Sequence, residues 1–313
     1  MAALPDPDLY EQIIASADPI YGGPHQGSRA LHAKGTWAHG TFTATPEAAR
    51  LSRAAHLQGD EIAALVRFSN ASGNPRAHDA DRDGRGIAVK LRMQDGLETD
   101  ILATTSPAFV TRTPEDFLEL MRARTPDPET GQPDLEKLGA YVAAHPEAMT
   151  AAEAIQMREP LASFAAATYF NPHAFALIAP DGSCTWARWR LVADLPEQRI
   201  PDDEARERGR DYLHEELADR LSAGTVGFEF RIQLAAGDEP LDEPTADWPD
   251  ARELVDAGRL ELTELADDPE GDGHIEVFDP TRVIDGIELS DDPILRARPK
   301  AYSVSAYRRL GSR

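Results

Sequence analysis

The sequence has few of the features that mark a membrane protein or a disulfide-bonded secreted protein. Its 313 residues include one cysteine, Cys184, so an internal disulfide is excluded and a reducing compartment is favoured. No run of about 18 apolar residues is present, which argues against a transmembrane helix. The start, MAALPDPDLYEQ, lacks a basic segment followed by an apolar one, so we expect no secretory signal and a cytoplasmic protein.

Positive charge is scarce as well. The chain has 32 Lys and Arg against 55 Asp and Glu, a net charge of −23. Such a surface repels nucleic acid and anionic membranes, and we expect neither as a partner. A hydrophobic content of 41% with 7% aromatics is typical of a globular protein with one large domain or two small ones. Clusters of basic residues are therefore informative here.

Hydrophobic patterning predicts strands separated by helices. Predicted strands cover 32–45, 61–70, 86–93, 225–237 and 259–266, with a hairpin at 173–195. Predicted helices cover 114–124, 133–158 with a break at Pro146, 201–224, and 293–308 with an interruption or start at Pro299. This pattern indicates an α+β protein and is compatible with an antiparallel barrel, but it leaves the topology open. Cys184 lies on the second strand of the hairpin and is interpreted as a buried core residue.

The segment ARPKAYSVSAYRR (297–309) gathers positive charge around two tyrosines. In a helix, Arg298 and Tyr302 would lie four residues apart on one face. A guanidinium beside a phenol favours the phenolate, the form that binds a metal well, and arginine stays protonated in any environment. From spacing alone, an ordinary Arg–Tyr stack on a helix is an open alternative.

The wider segment DDPILRARPKAYSVSAYRRLG (291–311) strongly resembles the haem-ligand segment of haem catalases. Asp, Leu, Arg-x-x-x-Tyr and Arg-Leu-Gly follow in the family's order without a gap. Tyrosine ligation of haem iron is an established property of catalases. The resemblance implies that Tyr302 is the proximal ligand to the iron of haem b (iron protoporphyrin IX). It also implies that Arg298 holds Tyr302 as phenolate and that Arg309 pairs with a haem propionate.

A second segment, SRALHAKGTWAHGTF (28–42), resembles the catalase pattern Arg-x-x-His-Ala-Lys-Gly. The resemblance implies that His32 is the distal histidine, which takes a proton from peroxide and returns it to the leaving oxygen. Arg29 matches a propionate-binding arginine. Without the flanking residues, a structural role is the more common one for a histidine in such a strand. His25 and His39 have no counterpart role and are interpreted as surface or structural.

Two further segments resemble the family. RFSNASGNPRAHDADRDGRGIAVK (67–90) implies that Arg67 binds a propionate, that Ser69 bonds the distal histidine and that Asp83 lies in the substrate channel. TYFNPHAFALI (168–178) resembles the strand whose histidine lies behind the proximal arginine. His173 and Asp292 match the positions of a charge relay that orients Arg298.

The chain also departs from the family. In ATTSPAFV (103–110), Thr104 stands where catalases have the asparagine that orients peroxide. We expect weak dismutation of hydrogen peroxide and relatively favoured peroxidase turnover, since an aligned donor in an active site is worth about 10²-fold or more. Phe109 and Phe117 match the distal and channel phenylalanines, with plain core residues as the alternative. Ala71 replaces a larger valine and indicates room for bulkier hydroperoxides.

The resemblance covers about 29–311 and is closest to the catalase-related minimal peroxidases. It predicts an N-terminal arm (1–28) and a haem-binding domain (29–313), an antiparallel eight-stranded β-barrel with flanking helices, the last of which carries Tyr302. The chain is much shorter than the large catalases, so we expect a monomer or homodimer and no bound NADPH.

The expected function is reduction of hydrogen peroxide or organic hydroperoxides with a small organic electron donor. Three alternatives remain. In a true catalase, Thr104 and an ordered water would replace the amide. A fatty-acid hydroperoxide isomerase or epoxidising enzyme is a second alternative. A non-catalytic haem carrier or sensor is the third, although a carrier has no use for the acid–base pair of His32 and Ser69.

Overall fold

The fold is described by a computed structural model covering residues 8–94, 96–270 and 274–311. The strands are β1 Gly35–Ala44, β2 Glu61–Asn70, β3 Arg85–Arg92, β4 Glu98–Thr104, β5 Thr168–Phe170, β6 Phe175–Ile178, β7 Cys184–Ala193, β8 Val226–Leu234, β9 Leu254–Ala266 and β10 Ile287–Leu289. The helices are α1 Leu9–Tyr21, α2 Pro46–Leu51, α3 Pro114–Arg124, α4 Leu135–Ala144, α5 Ala148–Gln156, α6 Asp202–Glu207, α7 Tyr212–Ala223 and α8 Pro293–Gly311. None of the helices in these ranges is long and apolar enough to cross a membrane.

Eight strands close into an antiparallel barrel. Neighbouring strands follow the order β7, β5, β4, β3, β2, β1, β9 and β8, and β8 returns to pair with β7 along Ala187–Ala193. Strands β6 and β10 extend the sheet beside β7. Closure leaves no exposed strand edge within the barrel. The predicted eight-stranded antiparallel barrel with flanking helices is confirmed.

The two faces of the barrel wall carry different side chains. On β2, Val66 and Phe68 belong to the main hydrophobic core, which fills the barrel. Because side chains alternate along a strand, Arg67 and Ser69 lie on the opposite, outer face, where they are nevertheless buried. Burial of polar side chains on the outer face shows that other parts of the chain cover this wall.

Some of the helices outside the barrel pack on one another. Helix α1 contacts both α3 and α8, so the predicted N-terminal arm contains a helix that the sequence patterns did not reveal. Asp8 caps α1 through the Glu11 amide, a favourable start for a helix. Residues 1–7 of the predicted arm and 312–313 of the predicted domain lie outside the described residues.

Several predictions about individual elements are confirmed and others are wrong. Strand 61–70 and helix 114–124 match β2 and α3, and Pro146 does separate α4 from α5. The predicted helix 201–224 is two helices, because Gly209 adopts a φ of +98° between them. Helix α8 runs through Pro299 without interruption.

The interpretation of Cys184 as a buried core residue is wrong. Its side chain is exposed. Cys184 is the first residue of β7 and pairs with Ile178 at the outermost rung of the β6–β7 hairpin, next to the turn. The pattern placed it correctly on the second strand, but hydrophobicity alone does not tell how close a residue lies to the end of a hairpin.

Candidate active site

The candidate site lies between the outer face of strands β1 to β4 and helix α8. Strand register places Gly35, Ser69, Gly86 and Thr104 in one row across the four strands. The segment before β1 is tied to α8, since the Ala30 amide donates a hydrogen bond of 3.4 Å to Ser305 Oγ. The first and last parts of the described chain therefore meet at this wall.

His32 stands above this row in a strained conformation. Its φ of +55° is the only positive value for a non-glycine residue in the described ranges, and such a conformation costs about 1–3 kcal/mol. Arg67 holds it, donating from one terminal nitrogen to the carbonyls of His32 (2.9 Å) and Ala33 (3.2 Å). The His32 amide donates to the Ala71 carbonyl at 3.2 Å. Backbone strain that specific bonds maintain is typical of a functional residue.

The imidazole of His32 is fixed by Ser69 and kept neutral. Nδ1 lies 2.9 Å from Ser69 Oγ. Burial, followed by the charges of Arg67 and Arg298, lowers the pKa of His32 to about 3. If Nδ1–H donates to Ser69, Nε2 carries the lone pair, and a neutral imidazole can accept a proton there. Arg298 contributes to this shift from α8, on the other side of the site.

Two glycines make room for these side chains. A Cβ at Gly86 would come within 3.1 Å of Ser69 Oγ and 3.2 Å of His32 Cε1, and one at Gly35 would come within 2.3 Å of the Arg67 guanidinium carbon. Any larger residue would displace His32 or Arg67. A glycine inside a strand is a sequence signal for such close approach, but the signal does not say which residue approaches.

Thr104 shares the row with Ser69, yet its hydroxyl already has local partners. Thr104 Oγ1 donates to the Ser106 carbonyl at 3.1 Å and accepts from the Ser106 amide at 3.3 Å. These bonds turn the hydroxyl toward its own loop. A catalytic role for Thr104 stays a prediction.

Three other residues predicted for the distal side or the channel are partly exposed: Phe109, Phe117 and Asp83. Phe109 packs between Phe117 and His173, with ring centroids 5.9 Å and 6.2 Å away. Both phenylalanines are only half-buried, so they line space rather than fill the core. Asp83 accepts a 2.6 Å bond from the Ser72 amide, and burial raises the pKa of Asp83 in spite of nearby Arg85.

On the proximal side, four side chains form a continuous relay. Asp292 Oδ2 lies 2.6 Å from His173 Nδ1, Arg298 donates to His173 Nε2 at 3.0 Å, and Arg298 Nε donates to Tyr302 Oη at 2.7 Å. Burial lowers the pKa of His173, more strongly than Asp292 raises it. A neutral His173 can then donate to Asp292 and accept from Arg298, which orients the guanidinium toward the phenol.

Asp292 is fixed by a second set of bonds. Its other oxygen, Oδ1, accepts from the amides of Ile294 (2.8 Å) and Leu295 (3.1 Å) at the start of α8. A carboxylate at a helix N-terminus is favoured by capping and by the helix dipole. Asp292 therefore caps the start of α8 and also holds His173 in position. The Arg298 guanidinium also lies 5.5 Å from the Tyr302 ring, so the alternative of an Arg–Tyr stack is realised as well, within a larger network.

Three arginines from distant parts of the chain gather at one end of the site. Arg29 and Arg309 both bind the carboxylate of Glu270, and Arg29 and Arg67 lie 5.6 Å and 5.4 Å from the ring of Trp37. Burial lowers the pKa of Arg29 and lowers that of Arg67 well below its usual value. Concentrated, buried positive charge in a chain of net charge −23 requires anions.

The residues present fit the group that the resemblance implies. The Nε atoms of Arg67 and Arg309 are buried and have no hydrogen-bond partner within the described ranges. Buried donors without partners are costly, and the carboxylates of a haem would satisfy them. Four residues of the site were not predicted from the sequence: Glu270, Trp37, Gly35 and Gly86. Of these, only the glycines carried a local signal.

Comparisons with known proteins identify the family of this chain. The catalase family model matches residues 26–313. A catalase-related peroxidase of Mycolicibacterium paratuberculosis is 42% identical over 93% of this chain and 91% of its own length. One from Synechococcus elongatus is 33% identical over 96% of this chain and 88% of its own.

The larger members are more distant. A catalase of Staphylococcus aureus is 27% identical, and the match covers 90% of this chain and 59% of that protein. The crystal structure of a fungal catalase superposes with a TM-score of 0.81 at 22% identity, covering 92% of this chain and 60% of that one, which shows a shared fold. The chain thus belongs to the catalase family, a family of haem oxidoreductases that act on peroxide.

Proposed function

We propose that this protein is a haem b peroxidase that reduces hydrogen peroxide or organic hydroperoxides with a small organic electron donor, and that its catalase activity is weak. The observation that carries the proposal is the pairing of a neutral His32, held by Ser69, with a Tyr302 that accepts a bond from Arg298. The names of the two relatives above 30% identity support the choice of peroxidase over catalase.

The residues divide into those that would hold the cofactor and those that would act on the substrate. Tyr302 would ligate the iron, and Arg67 and Arg309, with Arg29, would bind the propionates. Bound haem would supply the redox chemistry of the reaction. Phe109 would line the distal side of the cofactor.

His32 moves the proton. Nε2 accepts a proton from one oxygen of the hydroperoxide and returns it to the other oxygen as the O–O bond breaks. Two electrons from the donor and two further protons complete the balance. An organic hydroperoxide then gives one alcohol and one water, and hydrogen peroxide gives two waters. Ser69 keeps the imidazole in the tautomer that leaves Nε2 free.

Thr104 explains the expected weakness in dismutation. Dismutation requires a second hydrogen peroxide to be held while it is oxidised to oxygen, and a side-chain amide at position 104 would help to hold it. The Thr104 hydroxyl is engaged with Ser106. Thr104→Asn should therefore raise oxygen evolution, by up to about 10²-fold, while oxidation of a donor changes little.

An oxygen electrode and a donor-oxidation assay on the same haem-loaded preparation test the proposal. We expect sustained donor oxidation and little gas. Rapid, sustained oxygen release by the unmodified protein would instead identify a true catalase, the alternative in which Thr104 and a water replace the amide. Conversion of a fatty-acid hydroperoxide without consumption of donor would identify an isomerase or epoxidising enzyme.

We also propose a cytoplasmic location and a monomer or homodimer. The single cysteine is compatible with a reducing compartment. Sedimentation equilibrium of the haem-loaded protein measures the assembly state, and a tetramer would contradict this part of the proposal.

A further inference from the structure

Glu270 lies at the centre of the arginine cluster and has no role in the function derived so far. Its carboxylate binds Arg29 with both oxygens, at 2.6 Å and 3.0 Å, and one of these oxygens also binds a terminal nitrogen of Arg309 at 2.6 Å. The side chain of Glu270 is 12% exposed and that of Arg309 is 5% exposed. A largely buried carboxylate thus bridges two arginines whose segments are far apart in the chain.

The bridge uses donors that a propionate would also need. Both terminal nitrogens of Arg29 are committed to Glu270, and one of them donates in addition to the Glu276 carbonyl at 3.0 Å. Within the arginine cluster, the Nε atoms of Arg67 and Arg309 are buried and find no hydrogen-bond partner among the described residues. A propionate at Arg309 would therefore share that guanidinium with Glu270, and the two carboxylates would repel each other.

Glu270 is held in place rather than free to leave. Its own carboxylate accepts the Glu276 amide at 3.0 Å, and its amide donates to Asp268 Oδ1 at 2.9 Å. Glu276 in turn binds Arg92 at 2.9 Å and lies 3.5 Å from Lys90, both on β3. This chain of contacts connects Glu270 to the barrel wall, so its negative charge is a fixed part of the site.

We propose that Glu270 is an internal counter-anion of the arginine cluster, which stabilises Arg29 and Arg309 and weakens the binding of the cofactor's propionates. The inference rests on the proposed haem function. Arg29, Arg67 and Arg309 carry three positive charges, and Glu270, with Asp268 nearby, already balances part of that charge. Two ionised propionates would therefore compete with Glu270 for the same arginines. Glu270 would thus lower the affinity for the cofactor and reduce the preference for a dicarboxylate porphyrin over its ester.

The experiment compares Glu270→Gln with Glu264→Gln, which removes one charge from an exposed position on β9. Each cofactor-free protein is titrated with hemin and with hemin dimethyl ester, which lacks the propionate charges, and its thermal midpoint is recorded before the titration. For Glu270→Gln we expect a lower midpoint, a hemin Kd lowered by about tenfold, the scale of one partly screened charge repulsion, and an unchanged Kd for the ester. Glu264→Gln should match the unmodified protein.

The opposite directions of stability and affinity distinguish a counter-anion from a merely structural carboxylate. A lower thermal midpoint of unfolding together with unchanged or weaker hemin binding would overturn the proposal. Equal changes in the Kd values of hemin and of its dimethyl ester would overturn it as well. If Glu270→Gln does not fold, Glu270→Asp serves instead. Its shorter side chain cannot bridge both arginines, so hemin should bind more tightly by a smaller factor, and weaker binding would contradict us. Failure of the unmodified protein to bind hemin would refute the proposed function itself.

Discussion

The proximal and distal walls of the site are built in different ways. On the proximal wall, Asp292, His173, Arg298 and Tyr302 form an unbroken series of bonds of 2.6–3.0 Å, anchored by the start of α8. On the distal wall, His32 has a strained backbone, a single side-chain partner in Ser69 and a pKa lowered to about 3. The proximal wall holds charged side chains in fixed positions, and the distal wall holds a neutral base that can accept a proton.

This difference indicates what each wall does. A ligand that must remain an anion benefits from a network that cannot relax, because reorganisation would cost the stabilisation of the charge. A base that must accept and return a proton needs a nitrogen without a permanent partner. We therefore expect proximal substitutions to affect cofactor retention and stability, and distal substitutions to affect the rate of peroxide cleavage.

The largest effect is expected from Tyr302→Phe. Removing the phenol oxygen removes the only side-chain ligand proposed for the iron, so haem should be lost on gel filtration. The matched control is Tyr307→Phe on the same helix, where the side chain is 78% exposed. Haem absorbance that coelutes equally with both variants would place the iron ligand elsewhere.

His32→Ala should distinguish the roles of the two walls most clearly. It should keep haem but slow peroxide cleavage by about 10²–10⁴-fold, the usual contribution of general acid–base catalysis. Stopped-flow mixing of the haem-loaded variant with hydrogen peroxide gives the rate, and His39→Ala, at an exposed position on β1, is the control. An undiminished rate would rule out the distal assignment.

Asp292→Asn should weaken the proximal wall without destroying it. Loss of the buried charge beside His173 should lower the free energy of unfolding by about 1–3 kcal/mol. It should also raise the reduction potential of the iron, because a negative charge that favours the oxidised iron is removed from the proximal wall. Denaturant unfolding and spectroelectrochemistry measure the two effects. Asp291→Asn, at a neighbouring side chain that is 97% exposed, should change neither.

The smallest effect on the rate of peroxide cleavage is expected from a change in pH. Because the folded pKa of His32 is about 3, the imidazole stays neutral from pH 8 to about pH 4, and the rate of peroxide cleavage should be flat over that interval. In the unfolded chain histidine titrates near pH 6.5, so His32 lowers stability progressively as pH falls below that value. A cleavage rate that falls with a midpoint near pH 6.5 would contradict a neutral, shielded His32.

The sequence allowed the local parts of this structure to be predicted. Strand 61–70 and helix 114–124 carry their own alternation and capping signals, and both have the predicted bounds. The division of 201–224 into two helices depends on the backbone conformation of Gly209, and the exposure of Cys184 depends on the length of a hairpin. Barrel closure between β7 and β8 is a non-local pairing that no segment encodes alone.

The candidate site shows the same limit. Residues in recognisable segments, such as His32, Ser69 and Arg298, were predicted together with their partners. Glu270 lies in an acidic loop, ADDPE, that is indistinguishable by composition from a solvated surface, and its partner Arg29 is 241 residues away. The position of Trp37 against Arg29 and Arg67 likewise depends on the pairing register of β1 and β2. Contacts of this kind follow from the fold and not from the neighbouring residues.

The central claim is that a phenolate from α8 ligates iron on one wall while an imidazole from the opposite end of the chain serves the other. Resonance Raman spectroscopy of the haem-loaded protein tests it most directly. We expect phenolate vibrational modes that persist in His32→Ala and Tyr307→Phe and vanish in Tyr302→Phe. A spectrum typical of histidine ligation, or phenolate modes that survive Tyr302→Phe, would contradict the account.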